Sequence, residues 1–190
     1  MPYVWGCEII NSLVKQSLSL SVTTYMKSIL LGIICLSLVA TSCSNIGETA
    51  PEFTFTTIDS NTIDSNSLKD KIIVVNVWAT WCPTCIKEIP ELNRLQAKYA
   101  SDTSIVFLGL CDESQQLMDN ILTRFPFNYK QVAEAQKYTS KLQTRLVKTY
   151  PQNLIIDHNF NIVFEVSDGS ADIFSALDTK LQELVNLPTN

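Results

Sequence analysis

Two nearly uninterrupted apolar runs, rich in β-branched residues, constrain the fold of this chain most strongly: residues 72–78 (IIVVNVW) and 105–110 (IVFLGL). Such runs are typical of strands that are buried on both faces of a sheet, and the first is expected to be central. Between them, residues 83–99 place apolar side chains at helical spacing. Because strand, helix and strand in this order form a βαβ unit, the two strands are expected to pair in parallel.

Further elements are predicted on either side of this unit. The tandem repeat of TIDSN at residues 57–61 and 62–66 is too short for a solenoid and favours a β-hairpin with an Asp-Ser-Asn turn. The other predicted elements are helices at 112–125 and 171–187, a short strand at 127–132, further helical chain at 133–147, and an antiparallel hairpin of strands at 154–157 and 162–166. The predicted fold class is α/β, with a mixed central sheet flanked by helices.

The N-terminal residues predict a targeting segment. Met26-Lys27 precede the apolar run Ile29–Ala40, and small residues then lead to Cys43. As a helix this run would be about 18 Å long, shorter than the roughly 30 Å hydrocarbon core of a bilayer, so a signal peptide is favoured over a stable span. The expected organisation is a start codon placed too early or an extension at 1–25, a signal peptide at 26–42, a tether at 43–52 and a folded domain at 53–190.

Residues 40–43 (ATSC) resemble the lipobox of bacterial lipoproteins, in which the cysteine becomes the lipidated first residue of the mature chain. The resemblance implies lipidation of Cys43 and a periplasm-facing domain anchored to a cell membrane. An ordinary cleaved secretory signal and an uncleaved anchor are the alternatives, and both also export the domain.

Composition and charge exclude several classes of protein. The chain has 14 Lys+Arg against 19 Asp+Glu, a net charge of -5 and no basic run, which excludes nucleic-acid binding. With 46% hydrophobic and 17% charged residues it is too apolar for disorder. Its six cysteines are too few for a disulfide-stapled mini-protein, so each must be considered by position.

A Cys-Pro-Thr-Cys sequence follows the first buried strand. Cys82 is expected at the helix N-cap, with Pro83 at the first helical position, where a missing N–H has no consequence. Backbone N–H groups and the helix dipole stabilise a thiolate there, so Cys82 is the expected nucleophile. Cys85 lies one turn further on the same face, where it can close a disulfide with Cys82 and act as the resolving thiol.

Residues 74–85 (VVNVWATWCPTC), followed by Glu88 and Pro90, resemble the thioredoxin superfamily and, more narrowly, its TlpA/ResA/CcmG branch of exported thiol-disulfide oxidoreductases. A looser resemblance covers residues 51–187. It implies a thioredoxin-like fold with an extra N-terminal hairpin and an insertion before a cis-proline. It also implies an enzyme without a cofactor that reduces protein disulfides by dithiol–disulfide exchange.

The resemblance also implies roles for individual residues. Glu88 is implied as the acid/base partner of Cys85, the alternative being a solvated helix carboxylate. Asn76 departs from thioredoxins, which carry a buried acid six residues before the first cysteine. Pro151 is implied as the cis-proline that pairs with the substrate backbone, although the family's nearby Gly and Thr are missing from residues 147–153. The residues expected to contact substrate are Trp81, Pro83, Thr84, Tyr150 and Pro151.

The remaining candidate residues favour structural roles. Trp78 is expected to pack beneath the sheet, Cys111 to be a buried small residue rather than a redox centre, and His158 to lie in a turn. No metal site is predicted, because Cys111 and His158 do not complete a recognised zinc pattern with the Cys82–Cys85 pair. Copper delivery of the Sco type and peroxiredoxin activity would both require different motifs.

The implied partners are a protein disulfide, with apocytochrome c of cytochrome c maturation as one candidate, and a membrane electron donor of the DsbD/CcdA type. A second hypothesis from another class is a non-catalytic thioredoxin-fold binding module whose disulfide is only structural. Exposure of the cysteine pair and its cycling with a thiol donor would distinguish the two.

Overall fold

A computed structural model describes residues 46–142, 148–167, 169 and 172–186. Its strands are β1 (Thr54–Thr56), β2 (Thr62–Asp64), β3 (Ile72–Trp78), β4 (Ile105–Cys111), β5 (Lys130–Val132), β6 (Gln152–Ile156) and β7 (Ile162–Val166). Its α-helices are α1 (Pro83–Lys98), α2 (Gln115–Leu122), α3 (Gln136–Leu142) and α4 (Ile173–Val185), and a 3-10 turn covers Ser65–Leu68. None of the helices in these ranges has the length and apolar character needed to cross a bilayer.

The main sheet has five strands in the order β5-β4-β3-β6-β7, so β3 is central as predicted. β4 pairs in parallel with β3, and β5 in parallel with β4, whereas β6 and β7 run antiparallel to their neighbours. This confirms the βαβ unit and the antiparallel hairpin, whose turn contains His158. The register places Trp78 opposite Cys111 at the carboxyl ends of β3 and β4.

Strand β3 is buried on both faces because each face packs against a separate layer. Val74 and Trp78 belong to the core formed with α1, α2 and α4. Ile73 and Val75 belong to the core formed with the N-terminal hairpin and α3. The alternation of side chains along a strand therefore explains why nearly every position of this run is apolar.

The two copies of the repeat adopt different structures within the predicted hairpin. The first copy, residues 57–61, forms the turn, in which the Thr57 N–H donates to the Asn61 carbonyl at 2.9 Å and Ser60 has φ 65°. The second copy supplies β2, which pairs with β1, and the start of the 3-10 turn, where the Asp64 side chain accepts the Asn66 N–H at 2.8 Å. The same five-residue sequence therefore adopts two different conformations, and strand pairing with β1 determines that of the second copy.

Two predicted elements are shorter than expected. The helix predicted at 112–125 begins only after its N-cap, Ser114, because the carboxylates of Asp112 and Glu113 accept hydrogen bonds from other elements. The strand predicted at 127–132 is reduced to β5, because the Gln131 side chain donates to the carbonyl groups of Phe127 and Tyr129 and so occupies them.

The ends of other predicted elements differ from the structure by a few residues, and some of them lie outside the described residues. The strand predicted at 154–157 is β6, which begins two residues earlier. Helix α3 lies within the predicted helical chain 133–147, of which 143–147 lie outside the described residues. Helix α4 corresponds to the helix predicted at 171–187 but is shorter at both ends. Ala171 and Leu187 lie outside the described residues. The predicted signal peptide and Cys43 lie outside them as well.

Gly109 allows β4 to pass close to a buried side chain of β5. A Cβ atom at Gly109 would lie 2.5 Å from Oε1 and 2.6 Å from Nε2 of Gln131. Gln131 is buried and accepts the indole Nε1–H of Trp78 at 3.1 Å. This amide therefore has little freedom to move away, and the position requires glycine.

We predict that Gly109→Ala lowers the free energy of unfolding by about 1–3 kcal/mol, as overpacking of a core does. Denaturant unfolding measures the change. In a Gln131→Ala background the same glycine substitution should cause little further loss, since the clashing amide is gone. Equal losses in both backgrounds would contradict this steric explanation.

Candidate active site

The junction between β3 and α1 places Cys82 at a helix N-terminus. Cys82 is the N-cap of α1 and Pro83 is the first helical residue, as predicted. The Cys82 sulfur accepts the backbone N–H of Cys85 at 3.1 Å, and the Thr84 hydroxyl lies 3.3 Å from the same sulfur. The sulfur therefore lies where N–H groups and the helix dipole stabilise negative charge.

Cys82 and Cys85 are joined by a disulfide bond, with their Cα atoms 5.3 Å apart. Both residues are nearly buried, with only 3% of Cys82 and 2% of Cys85 exposed. Pro83 and Thr84, between them, are exposed, and so is Trp81, at 66%. A partner approaching this end of α1 would meet these three side chains before either sulfur.

The residue after β4, Asp112, is tied to the segment that leads into β6. Its carboxylate accepts hydrogen bonds from the Thr139 hydroxyl at 2.6 Å, the Lys148 ammonium at 2.8 Å and the Tyr150 hydroxyl at 2.7 Å. Burial opposes ionisation of Asp112, but these bonds outweigh it and hold the pKa of this carboxyl below its usual range. Burial, and then the bond to Asp112, raises the pKa of Tyr150.

The next residue, Glu113, is tied to the residues just before Cys82. Its carboxylate accepts the indole Nε1–H of Trp81 at 2.9 Å and the backbone N–H of Thr80 at 3.0 Å. It also accepts the thiol proton of Cys111 at 3.1 Å. Burial, and then this bond, raises the pKa of the Cys111 thiol, so Cys111 is a neutral buried donor rather than a reactive thiolate.

The Tyr150–Pro151 peptide bond is cis, which confirms the geometry that the resemblance implied. The Tyr150 ring meets the Trp81 indole edge to face, with 5.4 Å between ring centroids. The structure therefore brings two of the predicted substrate-binding residues together beside the cysteine motif. Their roles in binding stay predictions.

Glu88 is buried, with 5% of the residue exposed, so the alternative of a solvated helix carboxylate is wrong. Its Oε2 accepts the side-chain amide of Asn153 at 3.0 Å. The carbonyl oxygen of the same amide accepts Nδ2–H of Asn76 at 2.9 Å, so three buried side chains from α1, β6 and β3 form one chain of hydrogen bonds. Burial, and then the charge of Glu88, raises the pKa of the Tyr129 hydroxyl.

Sequence reasoning missed Asp112, Glu113 and Asn153 as parts of this site. An acidic pair at the carboxyl end of a buried parallel strand is a signal, because ligand sites of α/β sheets lie at that edge. A polar residue inside an otherwise apolar strand is another, because buried polar groups need partners. Asn76 carries this second signal in β3, and the register pairs it with Asn153.

The chain is similar to proteins named as thiol-disulfide oxidoreductases. It is 28% identical over 122 residues to the thiol-disulfide oxidoreductase ResA of Bacillus anthracis, in a match that covers 64% of this chain and 69% of that protein. It is 24% identical over 113 residues to the thioredoxin-like protein YneN of Bacillus subtilis (strain 168), in a match that covers 58% and 65% respectively.

Solved structures share the thioredoxin-like fold. A thiol:disulfide interchange protein of the thioredoxin family from Chlorobium tepidum TLS superposes with a TM-score of 0.61 at 22% identity, over 76% of this chain and 100% of that chain. The thioredoxin domain of a thiol-disulfide oxidoreductase from Bacteroides vulgatus gives a TM-score of 0.60 at 19% identity, over 73% and 99%. Residues 46–165 match the AhpC/TSA family, and since this match extends over more than half of the chain, the protein belongs to that family.

Proposed function

We propose that this protein is an exported thiol-disulfide oxidoreductase that reduces protein disulfides through Cys82 and Cys85. The observation that carries the proposal is the Cys82 sulfur at the N-cap of α1, accepting the Cys85 N–H at 3.1 Å. A sulfur in this position is stabilised as a thiolate, and the thiolate is the nucleophile of disulfide exchange. Relatives named ResA support the same class of reaction.

In the reducing direction, the Cys82 thiolate attacks one sulfur of the substrate disulfide, and the other substrate sulfur leaves as a thiolate. Cys85 loses its proton and attacks the Cys82 sulfur, so the Cys82–Cys85 bond forms and the second substrate sulfur leaves. Two electrons pass from the cysteine pair to the substrate. The Cys82–Cys85 disulfide in the structure corresponds to the end of this series of reaction steps. An external dithiol then restores the reduced pair.

Glu88 is proposed as the group that exchanges a proton with Cys85. It lies three residues after Cys85 on α1, so both side chains lie on the same face of the helix. The Asn153 amide donates to Oε2 of Glu88 at 3.0 Å and so helps to fix the buried carboxyl group in place. A carboxyl group positioned in this way can act as a general acid or base.

The proposed setting of the reaction rests on the sequence and its resemblance to known families. We propose that a lipid on Cys43 anchors the domain to a cell membrane. Residues 47–50, expected to be part of the tether, are instead held to the domain: the Gly47 N–H donates to the Ile162 carbonyl and the Ala50 N–H to the Phe160 carbonyl, both at 2.8 Å. The proposed substrate contacts are Trp81, Pro83, Thr84, Tyr150 and Pro151. Apocytochrome c is the proposed candidate substrate and a DsbD/CcdA-type membrane protein the proposed electron donor, both on the strength of the resemblance to the TlpA/ResA/CcmG branch.

One observation favours a second candidate, a non-catalytic binding module with a structural disulfide. The cysteine pair is almost completely buried, whereas exchange requires a partner sulfur to reach Cys82. The N-cap position of Cys82 favours the enzyme, because a purely structural disulfide needs no stabilised thiolate.

We expect Cys82→Ser to abolish turnover of a protein disulfide, because it removes the nucleophile. Cys85→Ser should instead accumulate mixed disulfides, since nothing resolves them; non-reducing electrophoresis after acid quenching measures both outcomes. Cys111→Ser is the matched control, because a hydroxyl can still donate to Glu113. Turnover that persists without Cys82 would rule out the mechanism.

We expect Glu88→Gln to slow the resolution of the mixed disulfide by at least about 100-fold, the lower end of general acid–base contributions. Glutamine can still accept the Asn153 amide, so the packing is retained while proton exchange is lost. Rapid quenching in single turnover measures the rate. Glu91→Gln, on the same helix but more exposed, should have no effect. Equal rates in the Glu88 and Glu91 variants would exclude the proposed role.

We expect the Cys82–Cys85 pair to have a reduction potential towards about -270 mV, as in thioredoxin. Equilibration of the protein against defined thiol buffers measures it. A value towards about -120 mV, as in DsbA, would indicate an oxidant and reverse the proposed direction. A pair that resists reduction below about -300 mV would favour the structural disulfide of the second candidate.

A further inference from the structure

Two consecutive acidic residues, Asp112 and Glu113, hold the aromatic side chains of Tyr150 and Trp81 beside the cysteine pair. Glu113 accepts the indole N–H of Trp81 at 2.9 Å and the backbone N–H of Thr80 at 3.0 Å. Asp112 accepts the hydroxyl of Tyr150 at 2.7 Å. Because the two rings also meet edge to face, the orientation of the Trp81 indole is fixed from two sides.

The two carboxylates differ in their charge balance. Asp112 forms an ion pair with Lys148, with 2.8 Å between Oδ2 and Nζ, so their charges largely cancel. Glu113 accepts only from neutral donors, namely an indole N–H, a backbone N–H and a thiol. Among the described residues it forms no ion pair. An uncompensated negative charge therefore lies at the edge of the Trp81 ring.

Trp81 combines this hydrogen-bonded N–H edge with a largely exposed side chain. The residue is 66% exposed and directly precedes Cys82 in the chain. The face of an indole attracts cations because its π-electrons carry partial negative charge. The Glu113 carboxylate, 2.9 Å from the indole nitrogen, makes the electrostatic potential at the ring more negative still, because the field of a charge is strong at this short distance.

We infer that Glu113 makes Trp81 a docking platform for a cationic side chain, and that the preferred substrate is a polypeptide disulfide whose cysteine is flanked by Lys or Arg. The inference rests on the proposed exchange reaction and names the substrate class for the same site. Glu113 acts through Trp81 and is a specificity-determining residue. A cation–π contact at an exposed site corresponds to a preference of about 2- to 5-fold.

Two matched peptides test the inference, each with one cysteine carried as a pyridyl disulfide and flanked by either Lys or Gln. The reduced full-length protein, freed of reductant, is mixed with excess peptide, and release of thiopyridone gives a second-order rate constant. The thiolate of Cys82 attacks the peptide sulfur and thiopyridone leaves; Cys85 then displaces the peptide thiol. The Cys82→Ser variant measures the background release of thiopyridone by the other cysteines. Each rate constant is divided by the rate constant of the same variant with dithiodipyridine, which removes differences in thiolate reactivity between variants.

The wild-type protein should react about 2- to 5-fold faster with the Lys peptide. The ratio should fall to about 1 in Glu113→Gln, which keeps an acceptor for the indole N–H but removes the charge, and in Trp81→Ala, which removes the ring. Glu91→Gln, with the same loss of charge elsewhere, should keep the wild-type ratio. A wild-type ratio of 1, or an unchanged ratio in Glu113→Gln, would overturn the inference. Release no faster than the Cys82→Ser background with either peptide would instead refute the proposed function.

Discussion

The in-register parallel pairing of β3 with β4 is the constraint on which the candidate site depends. Because Trp78 lies opposite Cys111, the residues that follow each strand emerge side by side at one edge of the sheet. The turn that leads to Cys82 therefore meets Glu113, the second residue of the acidic pair that follows β4. A one-residue slip would turn the side chains of a strand to the opposite face and remove these contacts.

The buried chain of hydrogen bonds through Asn153 gives a physical reason for the departure at Asn76. In this protein a buried carboxyl group comes from α1, as Glu88, rather than from β3. A second carboxylate at position 76 would face the first across a single amide, and like charges in a low-dielectric core disfavour each other's ionisation. Asparagine can instead donate to Asn153, whose own amide then points at Glu88.

Local pattern was sufficient for the βαβ unit and the cysteine pair, because buried strands, helical spacing and an N-cap cysteine each have their own sequence signature. The same rules predicted a helix from residue 112, whereas the helix begins after Ser114. Tertiary partners overrode the local pattern: Tyr150 and Trp81, distant in sequence from each other, take up the carboxylates of Asp112 and Glu113. Such contacts depend on register and packing, and no periodicity in the sequence encodes them.

The contrast in exposure between Trp81 and Cys82 separates recognition from chemistry in this site. With Trp81 66% exposed and Cys82 only 3%, a partner contacts the Trp81 side chain before the partner's sulfur can reach the disulfide. The sulfur atoms themselves distinguish little between partners, since exchange depends on thiolate character and access. Discrimination must therefore come from the groups that surround them. The charge of Asp112 is neutralised by Lys148, so Asp112 mainly stabilises the position of Tyr150. The charge of Glu113 is not neutralised, so Glu113 can also attract or repel a partner.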